Sequence, residues 1–192
     1  MISTRRRFLA LSFTLLAPAA AVAQDTNAQA IQITETGTHY VLTVPTSRLV
    51  LRLPKGNLVQ AKAPTSGATN NPGYFHFTDQ NAPYNISGWF EPQQGYAGAQ
   101  KFWASEMAGR NKQLPPPRNV AFAKTGGWET ITYDVTLAVG PGLTHTNVRA
   151  HWVQAGTWID LHLSVTSVQT DSTQARAQLA ARLAAISVSE KK

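Results

Sequence analysis

Arg149, His151, Asp160 and His162 are the residues whose types and spacing could do chemistry, because one local fold would gather them on a single face. Val148, Ala150 and Trp152 alternate with Arg149, His151 and Val153. Beyond Ala155-Gly156, Ile159, Leu161, Leu163 and Val165 alternate with Trp158, Asp160, His162 and Ser164. Period-two alternation on both sides of a glycine-containing turn predicts a half-buried hairpin. A two-residue loop at Ala155-Gly156 sets Trp152 opposite Ile159, Ala150 opposite Leu161 and Val148 opposite Leu163. The other face then carries His151 opposite Asp160 and Arg149 opposite His162. A slip of one residue would mix the two faces and is disfavoured, whereas a slip of two preserves them.

Opposed residues of an antiparallel pair have Cβ atoms about 4.5–5.5 Å apart, and diagonal neighbours lie at about 7–8 Å. Two imidazoles and a carboxylate at such distances have the donor set of a zinc or non-haem iron site, so His151, Asp160 and His162 form a candidate metal centre. Asp160 could instead orient His151 as a general base in a hydrolase-like site. Arg149 opposes the first reading, since its charge would repel a cation held beside it. The second lacks a nucleophile: the chain has no Gly-x-Ser-x-Gly and no His-Glu-x-x-His pattern. A simpler reading makes this a solvated or helix-covered sheet face on which Asp160 pairs with Arg149 or His151. Trp158, with Val153, adds an apolar patch to the same face, so Arg149, His151, Trp158, Asp160 and His162 are also candidates for contact with a ligand or partner. Of the five tryptophans, Trp152 points to the core by the same alternation.

The elements that must hold this hairpin follow from the rest of the chain. Strand-like runs occupy Ile31 and Ile33, residues 40–44, 49–53, 74–78, 85–90 and 120–122, and Trp128 onward to Leu137, with glycine and proline between them. In the last of these, Ile131, Tyr133, Val135 and Leu137 share a side opposite Thr130, Thr132, Asp134 and Thr136. Residues 96–111 change to helical spacing, with Ala99, Phe102 or Trp103, and Met107 as the apolar stripe, and Pro115-Pro116-Pro117 stops it. Asp171 reads as the N-cap of a closing helix whose stripe is Ala175, Leu179, Leu183 and Ile186. Strands joined by short loops pair antiparallel. The expected fold is therefore α+β, a single domain with a central antiparallel sheet and two main helices packed on it.

The remaining boundaries come from composition. Arg5-Arg6-Arg7, an apolar run through Leu16 and the exit Ala21-Val22-Ala23 describe a cleaved export signal over residues 1–23, twin-arginine-like in its Thr4-Arg5-Arg6-Arg7-Phe8-Leu9 stretch. Residues 24–30 read as a flexible arm, 31–188 as the domain and 189–192 as a tail. Signal removal takes three arginines from a chain of formal net charge +7. No clustered basic face remains, which argues against nucleic acid as a partner. No further apolar stretch could anchor the released chain in a membrane, so a periplasmic or secreted location is expected. Cysteine is absent, so stability must come from packing and no thiolate chemistry is available.

Residues 147–153, 156–164 and the closing helix resemble the end of PsbP-like domains, small exported α+β proteins with helices on an antiparallel sheet. The resemblance is one of architecture over residues 38–188 and of wording only near the end. It implies an accessory or binding role, with an unidentified protein or small molecule as partner, and offers no catalytic residue or cofactor to carry over.

Overall fold

The computed structural model describes residues 30–61, 72–110, 115–136, 143–168 and 171–191. The export signal, most of the arm, Leu114, Leu137 and the Gly140-Pro141-Gly142 loop fall outside the described residues. In chain order the elements are β1 (Gln32–Glu35), β2 (His39–Thr43), β3 (Leu49–Pro54), β4 (Leu58–Gln60), β5 (Phe75–Asp79), β6 (Tyr84–Pro92), a 3-10 turn (Gln93–Gly95), α1 (Ala99–Gly109), β7 (Arg118–Thr125), β8 (Trp128–Thr136), β9 (Thr144–Gln154), β10 (Thr157–Ser167), α2 (Thr173–Ala184) and β11 (Ser187–Glu190).

Two antiparallel sheets replace the single central sheet expected. The larger has the order β4-β5-β6-β10-β9-β8-β7 and the smaller β1-β2-β3-β11. Both sheets and α2 bury apolar faces in one core. Leu42, Leu49, Leu51 and Leu53 of the small sheet meet Phe77, Ile86, Leu161 and Leu163 of the large one, with Leu179 and Leu183 of α2 among them. The Tyr40 and Phe77 rings, 4.6 Å apart, connect the layers, and the Tyr40 hydroxyl donates to the Leu58 carbonyl at 3.0 Å.

The division into two sheets was hidden because β4 has only three residues and β11 four, too few to show alternation. Ser189 and Glu190, read as the start of a tail, form the last two residues of β11 and pair with Val50 and Leu49. The closing helix follows its expected stripe, with Ala175, Leu179, Leu183 and Ile186 buried. The N-cap position falls to Ser172, one residue beyond the expected Asp171, whose Oδ1 accepts from the Thr173 N–H at 2.9 Å. On β8 the sides are reversed from a simple apolar-inward rule. Ile131 and Tyr133 lie on the α1 side, while Asp134 is buried toward α2, where it accepts from Ser172 Oγ at 2.8 Å and Arg176 Nη2 at 2.6 Å. Burial pushes the Asp134 carboxyl up, but hydrogen bonds from Asn119, Arg176 and Ser172 outweigh it and hold the group below its ordinary range.

Candidate functional site

The hairpin at the centre of the large sheet forms as its residues dictate. Trp152 faces Ile159, Ala150 faces Leu161, Val148 faces Leu163, His151 faces Asp160 and Arg149 faces His162. Ala155 (φ 50°) and Gly156 (φ 77°) occupy the left-handed region at the turn, the backbone that a two-residue hairpin loop requires. Trp152 lies on the core side, half-buried, with its ring edge-on to Trp128 at 5.2 Å. A Cβ on Gly127 would strike the Trp152 ring, so that turn position needs glycine for space as well as for its φ of 89°.

On the opposite face the polar residues lie under α1 and Tyr96, away from solvent. His151 and Asp160 are fully buried side chains, and Arg149 is 12% exposed. Arg149 Nη1 donates to both Asp160 oxygens, at 3.2 and 3.3 Å, and Nη2 reaches Glu106 Oε2 of α1 at 3.4 Å. The guanidinium lies between the rings of Trp89 and Phe102, 5.3 Å from each centroid. One cation therefore neutralises a buried carboxylate and holds the helix to the sheet with it.

His151 belongs to a second chain of contacts. The Tyr96 hydroxyl donates to Glu129 Oε2 at 2.7 Å and lies 3.1 Å from His151 Nδ1. Because the tyrosine proton is committed to the carboxylate, Nδ1 carries the hydrogen of that second bond. The Ala99 N–H and Lys124 complete the Glu129 shell, at 3.2 and 2.7 Å. Hydrogen bonds from Lys124 and Tyr96 bring the Glu129 carboxyl down to about 2, while burial and this carboxylate push the Tyr96 phenol up. His151 Nε2 faces Asp160 Oδ1 at 3.5 Å without a hydrogen bond. Phe102 and Trp158 close the pocket, their centroids 4.5 and 5.6 Å from the imidazole.

The structure thus separates the residues that share a face in the sequence. His151, Asp160 and Arg149 come together. His162 turns to Asn147, with Nε2 3.0 Å from Asn147 Oδ1, and burial depresses its pKa well below the ordinary histidine value. Trp158, a candidate surface contact by alternation, is 6% exposed and stacks against Tyr96 at 5.0 Å. Among the described residues no group of three histidine, aspartate or glutamate side chains is arranged to hold a metal ion. The His151 imidazole is sealed from solvent, and the hydroxyl beside it, that of Tyr96, is committed to Glu129. The arrangement does serve as a polar and aromatic clamp for α1.

Tyr96, Phe102, Glu106 and Glu129 were missed as members of this cluster. The spacing of Phe102 and Glu106, one helical turn apart, does put both on one side of α1. Nothing in the order of residues says that this side meets Arg149. A separate cleft of about 470 Å³ opens at Ser47, Phe90 and Thr157. Its buried hydroxyls, Ser47 and Thr157, bond each other at 2.9 Å, so neither is left to demand a ligand.

No family model matches the chain, and neither does any curated protein. Among solved structures the chain is similar to cyanobacterial PsbP from Synechocystis sp. PCC 6803, with a TM-score of 0.49 at 13% identity over 84% of this chain and 94% of that one. It is also similar to a protein of Bacteroides thetaiotaomicron, with a TM-score of 0.42 at 11% identity over 76% of this chain and 46% of that one. The first of these bears the name of the group that the hairpin and the closing helix resemble.

Proposed function

We propose that this chain is an exported accessory domain that binds a partner through its surface and performs no chemistry in its interior. The observation that supports this reading is the closure of the hairpin's polar face: Asp160 and His151 are buried, and the first is already paired by Arg149. Residues that would have to meet a substrate are used to hold α1 in place. The basic, apolar and small-residue order of residues 1–23 supports export. Among the described residues no helix is long and apolar enough to cross a membrane.

The test is made on periplasmic extract containing the chain at native abundance. N-terminal sequencing should begin at Gln24, and gentle sizing should find the chain in a species heavier than the processed chain alone. A chain that retains residues 1–23 in the cytoplasm, or that travels alone in every extract, would overturn the proposal.

A further inference from the structure

Among the described residues, the outer edge of the large sheet is the one place where a long strand is left unpartnered. The opposite edge strand, β4, is three residues long, whereas β7 runs for eight, all of them exposed. Val120 and Phe122 of β7 are two of the three exposed large apolar residues among those described. Long apolar edges invite pairing, and proteins usually shorten, charge or bulge them. Here only the beginning of the strand is protected. Asn119 has φ 55°, the register shifts between Arg118 and Ala121, and the Asn119 carbonyl accepts from Arg176 Nη2 at 3.2 Å. From Ala121 to Thr125 the pairing with β8 is regular.

The direction of the free backbone groups follows from the turn. Gly126 and Gly127, both at positive φ, close a two-residue loop on Thr125 and Trp128. In such loops the closing pair bonds inward, so along the strand Thr125, Ala123 and Ala121 address β8 while Phe122 and Lys124 direct N–H and C=O outward. Phe122 and Lys124 share the α1 side with Ile131 and Glu129 opposite them. Beside them lies a groove of about 420 Å³ between β7 and the start of α1, with Ala97, Gly98, Lys101, Phe122, Lys124 and Glu129 in its walls. Glu129 is occupied by Tyr96, the Ala99 N–H and Lys124. Lys124 is paired with Glu129 but stays largely exposed, and Lys101 adds a second ammonium group, so the walls carry one more positive charge than negative.

We infer that the Ala121–Thr125 edge of β7 accepts an extended segment of a partner protein as an added strand, with apolar side chains at alternate positions and acidic residues beside them. Main-chain bonds to Phe122 and Lys124 supply the attachment. The groove reads every second side chain, and the lysines select the charge. A second copy of this chain is the less suited occupant, because its β7 carries Arg118 and Lys124 and no acidic residue, so it brings like charge to this edge. The inference rests on the reading of the chain as a binding domain and names the surface it uses.

The probe is a dye-labelled peptide of about nine residues in which valine alternates with threonine between acidic ends. Fluorescence anisotropy with the full chain should show saturable binding, weaker by about tenfold or more for a lysine-ended peptide and absent for one methylated on alternate backbone nitrogens. Phe122→Pro removes an outward N–H and no inward one. It should abolish binding while leaving the melting temperature in place, and Phe122→Thr should weaken it by about tenfold. Equal binding of acidic and basic peptides, or full binding by Phe122→Pro, would overturn the inference. So would a concentration-dependent dimer that Phe122→Pro dissolves, since that makes the occupant a second copy. A native complex that survives Phe122→Pro refutes this edge while keeping the accessory reading, whereas absence of any native complex refutes the accessory reading itself.

Discussion

Arg149 meets several demands at once. It answers Asp160 on the sheet and Glu106 on the helix, and its guanidinium is flanked by two aromatic rings. A buried pair of this kind adds little over an apolar replacement, but removal of one partner leaves the other charged and uncompensated. Asp160→Ala should therefore lower unfolding free energy in urea by about 3–5 kcal/mol. Adding Arg149→Met should return much of that loss, because the stranded charge goes too. A double variant no more stable than Asp160→Ala would show that Arg149 does not depend on this carboxylate. Ala155 is a simpler case. With φ at 50° it holds a conformation that costs an ordinary residue about 1–2 kcal/mol and glycine almost nothing. Ala155→Gly should raise stability by up to about 1 kcal/mol in thermal melts.

At the scale of elements, α1 is the part most exposed to test. Its interior residues include only Ala99 as fully buried, so it is held by Phe102, Trp103 and Glu106 reaching down to the sheet. Phe102 contacts His151 and Trp158 and stacks on Arg149. Phe102→Ala should cost about 2 kcal/mol, less than a fully buried phenylalanine would. It should also shift tryptophan emission to the red as water reaches Trp158, while the far-ultraviolet signature of the sheets persists. Unchanged emission would mean that the helix is not what keeps Trp158 dry. The β9–β10 hairpin should tolerate far less, because its inward residues Ile159, Leu161 and Leu163 are all inaccessible to solvent.

For the molecule as a whole, half-buried imidazoles set an acid limit. His162 and His145 both have depressed pKa values, and burial is the leading cause for each. The unfolded chain takes up protons on these rings near pH 6.5 and the folded chain does not. Their contribution is thus fully present above pH 6.5 and declines as the pH falls below it, at up to about 1.4 kcal/mol per pH unit for each ring. His162→Gln should flatten the stability profile between pH 6.5 and 5.5 by about that slope; an unchanged slope would place its titration elsewhere. Glu129, held at about 2, adds a further loss of the same sign below the ordinary carboxylate range.

Short-range pattern determined the central hairpin, its pairing, the inward side of β10 and the buried stripe of α2, because alternation and helical spacing record which side of an element is apolar. It also marked Arg149, His151 and Asp160 as neighbours, since opposed residues in a hairpin are fixed by the turn. Tertiary structure alone decided that a helix would cover them. It brought Tyr96, Phe102 and Glu106 over the sheet, turned His162 to Asn147, and packed the candidate site beneath a helix. The same packing divided the strands between two sheets and left β7 uncovered. Such outcomes depend on contacts between segments far apart in the chain, whose energies no local spacing of residues encodes.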